Sequence, residues 1–385
     1  MADDRPLLLD VTRLIWRRWV GRLPTGIDRV CLAYLDEYRD RAQAVIQRHN
    51  YRRILSTGAS DRLFDLLSAP GPLAKARLVR LLAAQWLRQS LPGRRRLYLN
   101  VGHTALQDPD YLGWTRSAGV RPVYMVHDLI PITHPQYCRA GEAERHADRM
   151  RNILASAVGV IGNSQATLDS LRAFAAGLSM GMPAELAAPL GNEIRPARLG
   201  KSVEPGRPTF VVLGTIEARK NHLMLLRVWE RLIAALGDAA PLLLIIGQRG
   251  WECDDVFALL DGNASLRRAV IEVGRCTDEE LSTHLAKARA LLFPSLAEGY
   301  GLPLVEALSS GVPVIASDLP VFREIGQGIP EFLLPEGDVA WEAIIREYAL
   351  PESAARQAQK DRMPKYRSPT WAGHFASVNT WLAAL

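Results

Sequence analysis

Nine short apolar runs, four to six residues each, recur along the chain and alternate with longer amphipathic stretches. In the first half they are Leu7–Val11, Arg96–Val101, Pro122–Val126 and Gly159–Asn163. In the second half they are Thr209–Gly214, Leu242–Gly247, Ala269–Val273, Ala290–Phe293 and Val312–Ala316. Strands that are apolar throughout, rather than on alternate residues, belong to parallel sheets covered by helices on both faces. The pattern is α/β, met twice. A chain of 385 residues exceeds the roughly 250–300 residues that one core supports, so two domains are expected. The break runs from Leu190-Gly191-Asn192-Glu193 to Pro205-Gly206-Arg207-Pro208, which is rich in turn residues. The Trp-bearing tail from Tyr366 to Leu385 reads as a helix begun at Ser368-Pro369 that crosses back to the first domain. The expected division is 1–192 completed by 366–385, and 193–365. Ligands of open parallel sheets sit at the carboxyl ends of the strands. Two such domains set face to face make a cleft, where the chemistry is expected.

Hydrophobic content of 48% and charged content of 23% exclude wholesale disorder. No window approaches the roughly 18 uninterrupted apolar residues of a spanning helix. The polar start Met1-Ala2-Asp3-Asp4-Arg5-Pro6 is not that of a secretory signal peptide. Cys31, Cys138, Cys253 and Cys276 stand far apart, which fits a reducing cytoplasm better than a disulfide scaffold or a zinc site. The net charge of +6 is unevenly spread. Residues 1–100 hold 19 basic and 9 acidic side chains, +10, and residues 251–350 hold 7 and 17, −10. The basic end suits an anionic surface: a membrane, a nucleic acid or a pyrophosphate-bearing acceptor. Only six of the 47 basic residues are lysine, so a lysine beside a glycine at a strand end stands out.

The most informative segment is Phe293-Pro294-Ser295-Leu296-Ala297-Glu298-Gly299-Tyr300-Gly301-Leu302-Pro303-Leu304-Val305-Glu306-Ala307-Leu308. Gly299, Gly301 and Pro303 put Glu298 on a tight loop after a strand. Pro303 then suits the first turn of a helix, in which Glu306 is also expected. Exposed amides there suit a phosphate or sugar oxygen. Ionised carboxylates only accept hydrogen bonds, which suits the hydroxyls of a sugar or ribose. A solvated loop glutamate and a glutamate at a helix dipole are the plainer alternatives for each residue taken alone. In the second segment, Leu213-Gly214-Thr215-Ile216-Glu217-Ala218-Arg219-Lys220-Asn221-His222, a strand ends at Gly214. Asn221 is placed to cap the helix that follows. Arg219 and Lys220, just before that helix, would form a diphosphate site, or else a basic surface turn. The P-loop pattern is missing.

Together these segments resemble the retaining GT-B glycosyltransferases of glycosyltransferase family 4. The match is carried by Glu298 and Glu306 within E-G-Y-G-L-P-L-V-E-A-L, preceded by G-T-I-E-A-R-K-N. The resemblance covers most of the chain and is most specific in its C-terminal half. It implies two Rossmann-like parallel-sheet domains facing across a cleft, a nucleotide-sugar donor bound mainly by the second, and no metal or other cofactor. It implies that Arg219 and Lys220 grip the donor diphosphate and that Glu306 accepts from the ribose hydroxyls. Glu298 would face the transferred sugar, and Gly214 and the amides of Gly301 and Leu302 would line the donor. Pro24-Thr25-Gly26-Ile27-Asp28-Arg29-Val30 is similar to the family's glycine loop, with Thr25 where members often carry a first glycine. Gly26 would still let backbone approach the donor; an ordinary strand-to-helix turn is the alternative. His127, in Tyr124-Met125-Val126-His127-Asp128, matches the family's cleft histidine near the transferred sugar. The alternative is a structural histidine bonded to Asp128 or backbone. Asn163-Ser164 reads as a helix cap and Asp10 as structural. Asp108-Pro109-Asp110 spells D-x-D but reads as a capped helix start, so no metal is assigned.

The stretch Leu73–Arg96 is basic and amphipathic, with Arg77, Arg80, Arg88, Arg94, Arg95, Arg96 and Trp86. Composition favours a core-facing helix with a charged outer face. A lipid-linked acceptor raises a membrane-lying helix to equal standing. The leading functional expectation is transfer of a hexose or deoxyhexose, first mannose from GDP-mannose, to a lipid-linked or growing surface glycan. The enzyme would be cytoplasmic, with peripheral attachment to the anionic inner face of the plasma membrane if that helix lies there. The alternatives are an epimerase or phosphorylase of the same architecture. A basic nucleic-acid-binding pseudo-enzyme, for which the chain lacks a helix-turn-helix or zinc motif, ranks below both because Glu298 and Glu306 are intact.

Overall fold

The computed structural model describes every residue except 1–4, 21–25, 49–50, 69–73, 87, 193–205, 252 and 275. The chain divides into two compact units, Met1–Leu190 with Trp371–Leu385, and Gly191–Thr370. Unit 1 contains β1 (Leu7–Asp10), β2 (Ala42–Arg48), β3 (Tyr51–Ile54), β4 (Leu97–Asn100), β5 (Arg121–Val126), β6 (Gly159–Gly162) and β7 (Ala184–Ala187). They form one sheet in the order β3-β2-β1-β4-β5-β6-β7. The described pairings are parallel except β2 with β3. Unit 2 contains β8 (Thr209–Leu213), β9 (Leu242–Ile246), β10 (Val270–Val273), β11 (Ala290–Phe293), β12 (Val314–Ser317) and β13 (Glu331–Leu333). Its order is β10-β9-β8-β11-β12-β13, with the described pairings all parallel.

All nine apolar runs are strands, and the strands that lie inside each sheet are buried on both faces. In unit 2, Phe210, Val212, Leu243, Leu292 and Ile315 meet Trp229 and Trp341 in one core. The two indoles also donate to the Pro241 and Leu334 carbonyls, at 2.9 and 3.0 Å. Unit 1 packs Leu8, Val45, Tyr98, Tyr124 and Val126 against Met150, Ile153 and Leu168.

Four strands carry no apolar run. β2 sits inside the sheet, yet Gln43 and Gln47 break its pattern. Both amides are buried because they are bonded. Gln43 donates to Leu55 O at 2.9 Å, and Gln47 to Asp10 and to the Tyr98 hydroxyl at 2.6 and 2.7 Å. Asp10 is indeed structural, at the centre of that network. β3, β7 and β13 lie at sheet edges, where only part of each strand is covered.

The first four helices are α1 (Thr12–Val20), α2 (Gly26–Tyr38), α3 (Thr57–Ser68) and α4 (Ala74–Trp86). The stretch Leu73–Arg96 is not one helix. α4 stops at Trp86, and Arg94 and Arg95 form a turn at φ 51° and 59°. Arg96 braces the backbone by donating to the carbonyls of Arg5, Pro92 and Gly93. The tail helix Trp371–Ala384 packs within unit 1. His374 bonds Pro189 O and the Tyr34 hydroxyl, each at 3.0 Å, and Phe375 sets its edge on Tyr34 at 5.1 Å. Ser164 caps the helix Gln165–Gly177 by accepting from Thr167 N.

Candidate functional site

In unit 2 the strand order reverses between β8 and β11. The chain leaves these neighbours in opposite directions, so the loops after them open a crevice at their carboxyl ends. One loop runs from Gly214 to Asn221, and the other from Pro294 to Gly301. Leu296 N donates to Arg219 O at 2.7 Å, which ties the loops together. Asn221 does not cap its helix. It sits at φ 58° with no side-chain cap bond. Its amide instead donates to Pro294 O and Pro335 O at 3.2 and 2.9 Å, because a residue in the left-handed region turns its side chain away from the helix start.

Glu298 is the hub of the crevice. Its carboxylate accepts from Arg219 at 2.8 Å, from Lys220, and from the Ser295 hydroxyl at 2.8 Å. Burial alone would raise its pKa, but the charges of Arg219 and Lys220 outweigh burial and hold it down to about 2. Glu217 shares Arg219 at 2.6 Å. Lys220 is buried, and its ammonium also stands 5.0 Å from the centre of the Phe293 ring. Burial, and after it the Arg219 charge, pull the lysine's pKa down, while Glu298 opposes them. A Cβ on Gly214 would come within 3.5 Å of the Lys220 ammonium, so the lysine lies across the glycine at the end of β8.

Gly301 begins the helix Leu302–Ser309 at φ 116°. A side chain there would meet Phe322 at 2.8 Å and Ile325 at 3.1 Å, so both space and backbone require glycine. No side chain caps this helix, nor the helix His222–Leu236 after Lys220. Two helix N-termini, each with positive dipole ends, therefore open on the crevice that holds Arg219 and Lys220. Glu306 lies in the second helical turn rather than the first, because the helix starts at Leu302, and its side chain is buried. The structure thus joins Gly214, Arg219, Lys220 and Glu298 by direct contact. Gly301, Leu302 and Glu306 continue the same loop and helix.

Two candidates belong to unit 1. Gly26 is the first residue of α2; residues 21–25, including Pro24 and Thr25, lie outside the described residues. Among the described residues the element before it is α1. Asp28, two residues on, is buried and paired with Arg13 at 2.7 Å and with Arg17. His127 follows β5. Its Nε2 lies 2.7 Å from Val101 O, so Nε2 carries the proton and Nδ1 is the acceptor nitrogen. Burial pushes its pKa down, which favours this neutral ring. His103 stands beside it at 5.0 Å between ring centres and donates to Met125 O, and His146 donates to Asp128 O. Asp108 and Asp110 cap nothing: both are bound by the buried Arg52, which takes up their charge.

Sequence reasoning missed Ser295, Glu217, His103 and His146. Ser295 and Glu217 carry a usable signal, since each lies within three residues of the ion it holds. The two histidines carry none, because they reach His127 through the fold.

Residues 207–347 match the family model for glycosyl transferases group 1. A serotype-specific mannosyltransferase, WbdA, from Escherichia coli is 28% identical over 260 residues, covering 62% of this chain and 32% of that protein. The O-antigen chain mannosyltransferase B of Escherichia coli is 39% identical over 113 residues, 29% of each chain. The chain spans about a third of the length of the first curated relatives it matches. Among solved structures, Anabaena Alr3699/HepE in complex with UDP and glucose aligns over 99% of this chain and all of that one, with TM-score 0.67 and 16% identity. The sucrose-phosphate synthase of Thermosynechococcus elongatus aligns over 99% and 98%, with TM-score 0.64 and 16% identity. Both likenesses establish the two-domain GT-B fold.

Proposed function

We propose, from the match of residues 207–347 to the glycosyl transferases of group 1, that the chain is a retaining hexosyltransferase acting on a nucleotide-sugar. The first choice of donor is GDP-mannose, since the relatives reported above are mannosyltransferases by name. The acceptor is a lipid-linked or growing surface glycan. The observation that carries the reading is the pairing of Arg219 and Lys220 with Glu298 at the β8–β11 reversal, beside two uncapped helix N-termini.

In this reading the donor diphosphate takes the place of the Glu298 carboxylate as the main anion facing Lys220. The two cations and the helix amides stabilise the charge that develops as the diphosphate leaves, in a site fixed before the reaction. Glu306 accepts from the ribose hydroxyls. Glu298, released in part, turns its acceptor oxygens to the sugar. The acceptor hydroxyl attacks from the face the diphosphate leaves, and its proton passes to the departing phosphate. No strong base and no metal is required. His127, neutral with Nδ1 as acceptor, takes a hydrogen bond from a sugar hydroxyl rather than a proton from the acceptor.

The test is a panel of GDP-, UDP- and dTDP-sugars incubated with the purified protein, with a phosphatase reporting the released nucleoside diphosphate. Turnover with one donor, abolished in Lys220→Ala, is the expected result. Neither turnover nor binding with any donor would remove the proposal.

A further inference from the structure

Two adjoining helices of unit 1 turn aromatic and basic side chains outward. α1 buries Leu14 and exposes Trp16, Trp19 and Val20, at 62%, 48% and 37%. These positions, three and four apart, share one helical face. α4 buries Leu78 and Gln85, seven apart. Val79, Ala83 and Trp86 are exposed and make a second stripe at helical spacing. A helix that served only the core would turn this stripe inward. Lys75 joins the two helices, with its ammonium 5.3 Å from the centre of the Trp19 ring. Trp86 is held by a parallel stack on Tyr51 at 4.1 Å.

Single exposed apolar residues are ordinary on protein surfaces. Here five of the twelve large hydrophobic side chains exposed among the described residues fall on these two helices. Neither helix carries an acidic residue. Arg13 and Arg17 are paired with Asp28, while Lys75, Arg77 and Arg80 are exposed. Tryptophan beside lysine and arginine, with no acid among them, suits the headgroup layer of an anionic bilayer. The indole spans the boundary between wet and apolar regions, and the cations reach lipid phosphates. A protein partner would have to present an acidic, aromatic-accepting face, and neither helix carries an acid to begin a self-complementary contact.

We propose that α1 and α4 together form a face that docks the protein on an anionic membrane. Trp16, Trp19 and Trp86 enter the headgroup layer, and Lys75, Arg77 and Arg80 contact phosphate. The proposal rests on the reading of the acceptor as lipid-linked. α1 starts directly after β1, at the carboxyl ends of the strands, and runs nine residues, about 13 Å, to its exposed end. Docking by that end keeps the strand ends of unit 1 within reach of the head of a lipid anchored in the same leaflet.

The test compares vesicles of mixed phosphatidylglycerol and phosphatidylcholine with vesicles of phosphatidylcholine alone. Co-sedimentation and intrinsic tryptophan emission are followed as salt is raised. The wild type should pellet with the anionic vesicles, shift its emission to the blue, and release as salt rises. The double variants Trp16→Ala with Trp19→Ala, and Arg77→Glu with Arg80→Glu, should each weaken partitioning about ten-fold or more. All these side chains are exposed, and circular dichroism with a thermal melt reports that each variant is folded. Absence of wild-type pelleting at low salt overturns the proposal. So does loss in the arginine variant with no change in the tryptophan variant, which is charge adhesion without insertion. Self-association on a sizing column, abolished by the tryptophan changes and unaccompanied by vesicle binding, identifies a second copy as the occupant and also overturns it. Calorimetry with GDP and UDP on the same preparation separates the two readings. Nucleotide binding without vesicle binding fails the docking face alone, and vesicle binding without nucleotide binding fails the transferase reading alone.

Discussion

Replacing Glu298 by Gln keeps the shape of the hub and removes its charge. In the native crevice that charge holds Lys220 and part of Arg219. Arg219 retains Glu217 in the variant, but Lys220 loses its contact with Glu298, the one acid it meets directly among the described residues. The carboxyl is held at about 2 against an ordinary 4.5, which corresponds to about 3 kcal/mol of stabilisation. Breaking a buried ion pair costs about 3–5 kcal/mol, and the amide oxygen still accepts a bond, so the two figures converge near 3. The sign follows from a carboxyl whose pKa is lower folded than unfolded. Its contribution is complete above about pH 4.5 and lost as pH falls toward about 2. At neutral pH the ligand-free variant should therefore melt about 6–12 °C lower, at about 2–4 °C per kcal/mol for a domain of this size. A nucleoside diphosphate returns negative charge to Lys220. At a concentration 100-fold above Kd it adds about 2.7 kcal/mol to a protein of unchanged affinity, and the variant should gain more than the wild type. Denaturation with and without nucleoside diphosphate, with calorimetry for Kd, reads both effects. A variant as stable as wild type without ligand, or an equal gain in both proteins, refutes the reasoning. It would return Glu298 to facing the sugar alone.

Three further outcomes are expected. His222 is buried with neither ring nitrogen bonded, and burial and then the Lys220 charge push it down to about 4; since the unfolded ring binds protons first, stability should fall by about 3 kcal/mol as pH drops from about 6.5 to about 4. His222→Leu should remove that slope in urea titrations at several pH values and add about 1–3 kcal/mol at acid pH; parallel pH dependences would show that the ring does not titrate as described. Gly301→Ala forces a side chain into a φ of 116° and against Phe322, and a loss of about 1–3 kcal/mol is expected in chemical denaturation. Glu306→Gln, changed at a buried acid, should weaken nucleoside-diphosphate binding about ten-fold in calorimetry without changing the anomeric outcome of transfer.

The legible parts of the fold are those where burial acts on both faces. β8, β9, β11 and β12 are apolar end to end because each lies inside a parallel sheet, and their limits in sequence match the strands within two residues. β2 lies equally deep but was illegible. Gln43 and Gln47 are tolerated there only because Leu55, Asp10 and Tyr98 satisfy them, and those partners lie elsewhere in the chain. The limits of α4 were misread for a related reason. Arg96 looks like the last cation of an amphipathic face, but its guanidinium serves the nearby carbonyls of Pro92 and Gly93 and the distant one of Arg5, which no helical period can show.

The site divides in the same way. Residue types and spacing were enough to mark Gly214, Arg219, Lys220, Glu298, Gly301 and Glu306, because each lies on the loop that follows a strand or on the helix that loop leads into. Their partnership was not legible. Glu298 and Lys220 are 78 residues apart, and they meet only because β8 and β11 are neighbours where the strand order reverses. That adjacency changes the chemistry assigned to them. A lysine gripping a diphosphate and a glutamate facing a sugar would be separate devices. A lysine buried against a glutamate is one device, in which the acid keeps the cations ordered and charged until a stronger anion arrives. Without the acid, burial would favour a neutral Lys220 until a bound diphosphate returned the negative charge beside it. The carboxylate therefore acts on the donor's phosphates through Lys220 before it acts on any sugar, and the order of those two actions follows from the contact itself.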